Sequence, residues 1–364
     1  MAYYFRLPVL TDLTIEQQAV LNEPNAIAVS GGPGTGKSVV SLWRHIQNHG
    51  MGRRHSLLLT YTVSLESYLA SSASSENRAA GSNVNRTYEW TTNEASNEYD
   101  EIIIDEAQDV RKDRYEQIRN LASMISYSAD DNQILYPNRA TTEKQLQELF
   151  ANPRFTLHAN YRNTNEVVRF VRSLFPKTII SNGQSSGPKP QLICSDGINE
   201  NQTQIIKDVI DTFQSDTHNI AILVPLASHV TYWYNELVNS GYLCSFYRNE
   251  EEELNLIENI HVTTFKSSKG LEFDTVIIPF FNKYEDFIKT QLDVVTEKDY
   301  YVVFTRTRRN LILIDHKKTK NGNSSIPFIQ NQITNGIVEV DKSYLTNTTP
   351  PIRRIIEDHD DLPF

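Results

Sequence analysis

Eight residues, GGPGTGKS at Gly31 to Ser38, carry the pattern G-x-x-x-x-G-K-[ST]. Gly32, Gly34 and Gly36, with Thr35 among them, let successive backbone N–H groups turn onto phosphate oxygens at a helix N-terminus. Lys37 then reaches the β and γ oxygens, and the Ser38 hydroxyl is placed to ligate Mg2+. A second acidic element is required, and YDEIIIDEAQD at 99–109 offers one at the exit of an apolar run. Asp105 is expected to hold the magnesium shell, and Glu106 to orient and deprotonate an attacking water. The pair predicts hydrolysis of a nucleoside triphosphate, with ATP and Mg2+ as cofactors. A glycine turn with a chance lysine, or acids that merely cap a helix, would explain either element alone but not both in these settings.

Those settings are short β-branched runs alternating with helical stretches: AIAVS at 26–30, SLLLT at 56–60, EIIID at 101–105, NIAILV at 219–224 and TVIIP at 275–279. This is the form of buried parallel strands with crossover helices, and it occurs twice. AIAVS feeds the phosphate loop, and SVVSLWRHIQNHG follows as a helix that Gly50 can stop. The expected architecture is α/β, with tandem parallel-sheet domains at 1–152 and 153–316 and an extension at 317–364. Residues 71–85, SSASSENRAAGSNVN, read as a solvated connector, as do the four glutamates at 250–253.

Composition bounds the rest. At 364 residues the chain exceeds one ordinary core. No apolar run approaches the roughly 18 to 20 residues of a membrane span, and MAYYFRLPVL lacks the build of a secretion signal, so a cytoplasmic address and no membrane partner are expected. A net charge of -10 argues against a surface coated in phosphate-binding basic residues but leaves room for a local basic groove. Cys194 and Cys244 are too few for a disulfide framework. His45 and His49 have the spacing of a metal pair but no third ligand nearby, and read as a solvated helix face.

DEAQD and a series of further motifs make the chain resemble superfamily 1 helicases of the UvrD/Rep/PcrA type over nearly all of residues 13 to 314. The resemblance implies two RecA-like domains with ATP in the cleft between them. LTIEQQ is similar to the Q motif and implies that Gln17 meets the adenine edge. TYTVSL at 60–65 and RTYEW at 86–90 resemble motifs Ia and Ib, which implies contacts to single-stranded DNA by Thr60, Tyr61, Thr87 and Tyr88. SADDNQILY at 128–136 resembles motif III, with Gln133 as sensor of the γ-phosphate and Arg139 near the strand. LHANYRN at 157–163 resembles motif IV, with Tyr161 stacked on adenine and Arg162 reaching the γ-phosphate from the second domain. TTFKSSKGLEFD at 263–274 resembles motif V, with Glu272 on the ribose, and YYVVFTRTRRN at 300–310 resembles motif VI, with Arg306 as arginine finger. Translocation from 3′ to 5′ is implied by the family alone.

The sequence also departs from that family. Its relatives carry inserted subdomains 1B and 2B, whereas nine residues separate Trp90 from Asp100 and a short connection joins Val224 to Val262. Neither gap holds a domain of about 50 residues, so duplex unwinding is expected to need a partner. Asn138 stands where relatives have a base-stacking tryptophan, with Tyr61, Tyr88 and Trp90 as substitute platforms or as core aromatics. The terminal Asp360, Asp361, Leu362, Pro363 and Phe364 resemble the acidic tip of single-stranded-DNA-binding protein, implying a protein partner that accepts such a tip. A frayed acidic tail is the alternative. A nucleotide-gated switch or loader acting on a protein partner is the competing function, and a small-molecule kinase would fit the phosphate loop alone.

Overall fold

A computed structural model describes residues 3, 7–50, 52, 54–96, 98–195, 199–248, 256–283, 295–315 and 327–345. The acidic tip at 360–364 and the glutamates at 250–253 lie outside the described residues.

The first sheet contains β1 Ala28–Gly31, β2 Ser56–Thr60, β3 Val84–Arg86, β4 Tyr99–Ile104, β5 Ala122–Ala129 and β6 Arg154–Leu157. Its order is β3-β2-β4-β5-β1-β6 and every pairing is parallel. Ile102, Ile103 and Ile104 are all buried because a parallel sheet is covered on both faces. The second sheet contains β7 Gln191–Ile193, β8 Ile220–Val224, β9 Ser245–Tyr247, β10 Ile260–Thr264, β11 Phe273–Ile278, β12 Thr307–Ile314 and β13 Glu339–Asp341. They are ordered β13-β7-β12-β11-β8-β10-β9, again in parallel. Two tandem parallel-sheet α/β domains are therefore present. Among the described residues no helix is long and apolar enough to cross a membrane.

Three helices set the nucleotide end. α1, Ile15–Asn22, starts at Thr14, whose hydroxyl accepts from the Gln17 backbone while the Gln17 side chain accepts from the Thr14 backbone. α2, Lys37–Gly50, leaves the phosphate loop and ends at Gly50 as the sequence suggests. α3, Val63–Glu76, is capped by Thr62.

Several expectations change. The boundary between 152 and 153 falls too early: β6 at 154–157 pairs with β1 and closes the first sheet, and the chain crosses over only after Leu157. The extension is not separate from the second domain, because β13 pairs with β7 and Val338 and Ile329 join its core. Residues 71–85 are not a loop. They finish α3, form the helical turn Arg78–Gly81 and enter β3, and Ala73 and Ala80 are buried because small side chains let these elements pack closely. His45 is not solvated: its Nδ1 meets Ser56 Oγ at 2.9 Å and its Nε2 meets the Ala80 carbonyl at 2.9 Å. Trp90 is a core residue, 2 % exposed.

Candidate nucleotide cleft and nucleic-acid groove

β1 enters the phosphate loop through Gly31, and α2 begins at Lys37, so the loop is held at both ends by regular structure. Gly34 has φ +74° and approaches the 160–162 segment so closely that a Cβ would lie 2.2 Å from Asn160 Oδ1. The Tyr161 backbone N–H donates to the Gly34 carbonyl at 2.9 Å. Lys37 Nζ donates to the Gly31 carbonyl at 2.7 Å and the Gly32 carbonyl at 3.2 Å, and Thr35 Oγ1 donates to the Gly32 carbonyl at 2.9 Å. Gln17 braces the loop, its Nε2 donating to the Thr35 carbonyl at 3.1 Å and its Oε1 accepting from Thr14. Its amide is thus engaged with backbone at both ends, although the residue lines the cleft beside Gly36.

Asp105 follows β4 and is 1 % exposed. Ser128 Oγ donates to its Oδ1, whereas Oδ2 is buried with no hydrogen-bond partner. Burial, and then the neighbouring Glu106, push its pKa above the usual carboxylate range, while Ser128, Ser38 and Lys37 oppose the rise. An orphaned carboxylate oxygen beside the Ser38 hydroxyl fits a hard divalent cation, so Ser38 and Asp105 suit Mg2+. Glu106 adopts a left-handed backbone, φ 54° and ψ 40°, which is strained for a residue with a Cβ and turns the chain sharply after the strand. Burial acts to raise its pKa, but Lys269, Lys37 and Arg306 outweigh burial and hold it low. The two adjacent carboxyls are therefore driven apart, with Asp105 raised and Glu106 held ionised.

The second domain closes this site. Arg306, 1 % exposed at the end of the helix Glu297–Thr305, donates Nη2 to Gln133 Oε1 at 2.7 Å. Burial, then the nearby Arg162, lower its pKa to about 9. Gln133 donates Nε2 to Asp130 at 2.7 Å. Lys269, 2 % exposed, donates to Asp109 and, at 2.6 Å, to the Gln133 carbonyl, and stands 3.5 Å from Glu106. Burial acts to discharge this ammonium, but Asp109 and Glu106 outweigh it and keep it charged. A cavity of about 290 Å³ lies here, bounded by Lys37, Ser38 and Glu106 on one side and by Glu272 and Arg306 on the other.

Arg162 and Glu272 take unexpected positions. Arg162 is not carried by the second sheet; it lies in the crossover after β6, where Asn163 Nδ2 donates to the Thr305 and Thr307 carbonyls. Its Nε pairs with Glu272 Oε2 at 2.7 Å, and Arg308 lies 3.8 Å from the same carboxylate, so Glu272 is engaged by two arginines. Tyr161 is 37 % exposed at the cleft.

A second cavity, about 490 Å³, runs between the domains at the C-terminal ends of strands from both sheets. Tyr61, Tyr136, Arg139, Arg248 and Lys266 line it. Tyr61 and Tyr136 have ring centroids 6.1 Å apart, and Lys266 Nζ sits 5.1 Å from the Tyr136 ring. Of the expected strand contacts, Tyr61 and Arg139 come to this groove. Tyr88 is exposed elsewhere under Arg114. Thr60 and Thr87 have buried side chains, and Thr87 donates to the Thr60 carbonyl, so neither side chain is open to a strand. Sequence reasoning missed Lys269, Asp109, Tyr136 and Arg248. The first three lie inside or beside quoted motifs, and a lysine before Gly270 was the readable signal for Lys269. For Arg248, after a short edge strand, there was none.

Comparison with known proteins finds helicase relatives. The model of the Schlafen group 3, DNA/RNA helicase domain matches residues 24–205, and that of the UvrD-like helicase C-terminal domain matches 234–318. A protein of Acanthamoeba polyphaga mimivirus described as an ATP-dependent DNA helicase is 24% identical over 287 residues, 70% of this chain. The chain spans 39% of the length of that relative. Among solved structures, an arterivirus nonstructural protein 10 helicase with DNA shares 13% identity at a TM-score of 0.44, covering 87% of this chain and 64% of its own. The PRRSV helicase shares 12% at 0.43, covering 86% and 57%.

Proposed function

The chain belongs to the superfamily 1 helicases, with the Schlafen group 3, DNA/RNA helicase domain as its matching family, and on that premise we propose that it is an ATP-driven translocase on single-stranded DNA. One observation carries the reading: Arg306 and Lys269 from the second domain meet Gln133 and Glu106 from the first in the cleft that holds the phosphate loop. Glu106, ionised, takes the proton of the attacking water. Lys37 and Arg306 offset charge on the transferring phosphoryl group, and Arg162, oriented by its pair with Glu272, joins them. Ser38 and Asp105 would hold Mg2+, which would supply positive charge against the phosphates. Because the phosphate loop and both acids come from the first domain and Arg306 from the second, hydrolysis is tied to how the domains close.

The groove at Tyr61, Tyr136, Arg139, Arg248 and Lys266 suits a single strand: the aromatic faces accept bases and the cations accept phosphates. Movement is proposed to run 3′ to 5′, as in the family that the motifs resemble. Between β8 and β10 only the helix Ala227–Asn239 and β9 are described, which favours dependence on a partner for unwinding. The same observation favours a second reading, a nucleotide-gated switch that never translocates. The acidic tip, Asp360 to Phe364, is a candidate for docking that partner, and a pull-down with and without those five residues tests it.

ATPase rate measured with and without poly(dT) separates the readings. A translocase is stimulated by the strand and displaces duplex from 3′-tailed rather than 5′-tailed substrates. A rate indifferent to both DNA and RNA contradicts translocation.

A further inference from the structure

We propose that Tyr3 is a positioning residue: its hydroxyl fixes Glu272, and through it Arg162, at the mouth of the nucleotide cleft. The proposal rests on the reading of that cleft as the ATP site. Tyr3 Oη donates to the Glu272 carbonyl at 2.6 Å and accepts from the Glu272 backbone N–H at 3.1 Å, so one hydroxyl holds both backbone groups of a single residue. The Tyr3 backbone N–H donates to the Ile257 carbonyl at 2.7 Å, anchoring Tyr3 on the second domain. Its ring stands edge-on to Phe273 of β11, at 5.8 Å, and to Tyr68 of α3, at 6.5 Å. Tyr3 therefore sits at the seam, against one aromatic from each domain.

The loop it grips carries much of the closing machinery. The Leu271 carbonyl accepts from Arg306 Nη1 at 3.4 Å, and the Glu272 carboxylate holds Arg162. Gly270, at φ +88°, lies so close to α3 that a Cβ would stand 2.9 Å from Leu65. A loop pressed against the first domain on one side and held by a hydroxyl on the other has little freedom. Packing alone would need only the ring; the hydroxyl adds the register of Glu272, and with it the direction in which the Arg162 guanidinium points. Small misplacements of such a group act on the transition state more than on ground-state binding.

Tyr3→Phe keeps the ring and removes the hydroxyl. In the full chain with saturating poly(dT), kcat for ATP is expected to fall about 10-fold, the order of losing the two hydrogen bonds, with KM within about twofold and a thermal midpoint lowered by about a few degrees at most. In a Glu272→Gln background, where the Arg162 pair is already weakened, Tyr3→Phe is expected to have little further effect on kcat. Wild-type kcat and KM in Tyr3→Phe, or a full 10-fold loss repeated in the Glu272→Gln background, overturns the proposal. Glu106→Gln in the same assay keeps the two failures apart: undiminished hydrolysis by that variant overturns the ATP-site reading itself.

Discussion

Arg306 donates through Nη2 to Gln133 Oε1 at 2.7 Å, and this contact joins the last residue before β12 to the loop after β5. The connection continues: Gln133 donates to Asp130, which lies 4.0 Å from Lys37. A neutral amide thereby links the guanidinium of one domain to the carboxylate facing the phosphate-loop lysine of the other. Gln133→Ala leaves the buried Arg306 Nη2 unpaired, a penalty of about 1–3 kcal/mol. We expect kcat to fall about 10- to 100-fold with nucleotide affinity changed far less, read by steady-state kinetics and equilibrium ATP binding. Equal losses in both would show that Gln133 only binds.

Lys269 neutralises two buried acids at once, Asp109 directly and Glu106 at 3.5 Å. Lys269→Met leaves both carboxylates without their nearest cation, and breaking such a buried pair costs about 3–5 kcal/mol. Urea unfolding should show that loss, together with ATPase activity reduced at neutral pH because Glu106 becomes easier to protonate. Replacing Asp109 as well, in Lys269→Met with Asp109→Leu, should recover much of the stability but not the activity. A double variant as unstable as the single one contradicts this.

Burial pulls His45 and His261 from the ordinary 6.5 down to about 3. Between those values the unfolded chain binds protons that the folded chain refuses. Each therefore contributes stability that is present above pH 6.5 and is lost toward pH 3, at up to about 1.4 kcal/mol per pH unit per histidine. Asp105 and Asp109, raised mainly by burial, act in the opposite sense over the lower part of that range. The informative quantity is the difference in slope between wild type and His45→Gln, from urea unfolding at pH 7.5 and 5.5. The variant should be less acid-sensitive, and identical slopes would contradict a buried neutral His45.

Tyr136 and Arg248 test the groove separately. Tyr136→Ala should weaken single-strand binding by about 1–3 kcal/mol with little change in salt dependence, since a stacking face is lost. Arg248→Ala should weaken binding uniformly across sequences and reduce the salt slope by about one. Fluorescence anisotropy with poly(dT) at several salt concentrations measures both. Unaltered affinity in each variant would place the strand elsewhere.

The nucleotide half of this account was legible because its physics is local. A phosphate loop needs glycines, a lysine and a hydroxyl in consecutive order between a strand and a helix, so GGPGTGKS is readable without a partner. DEAQD is readable for the same reason, as acids at the exit of β4, whose last four residues are buried. The architecture was legible where strands are continuous apolar runs, as in β2, β4 and β8, and illegible in three-residue edge strands such as β3, β9 and β13. Those edges also explain the misplaced boundary, since β6, RFTL, shows too little periodicity to claim a place beside β1. Long-range pairing was the other blind spot. Nothing near Glu272 in sequence announces that Tyr3 holds its backbone, and small residues at 71–81 look like a linker until α3 is seen to need them for close packing.

The most direct measurement of the central claim, that hydrolysis needs both domains, is ATP hydrolysis by Arg306→Ala beside equilibrium ATP binding by the same variant, with saturating poly(dT). The account predicts binding retained within a few-fold and turnover reduced about 10²- to 10³-fold, as for loss of a group aimed at transition-state charge. Turnover at the wild-type rate would contradict it, because the phosphate loop, Asp105 and Glu106 of the first domain would then suffice alone.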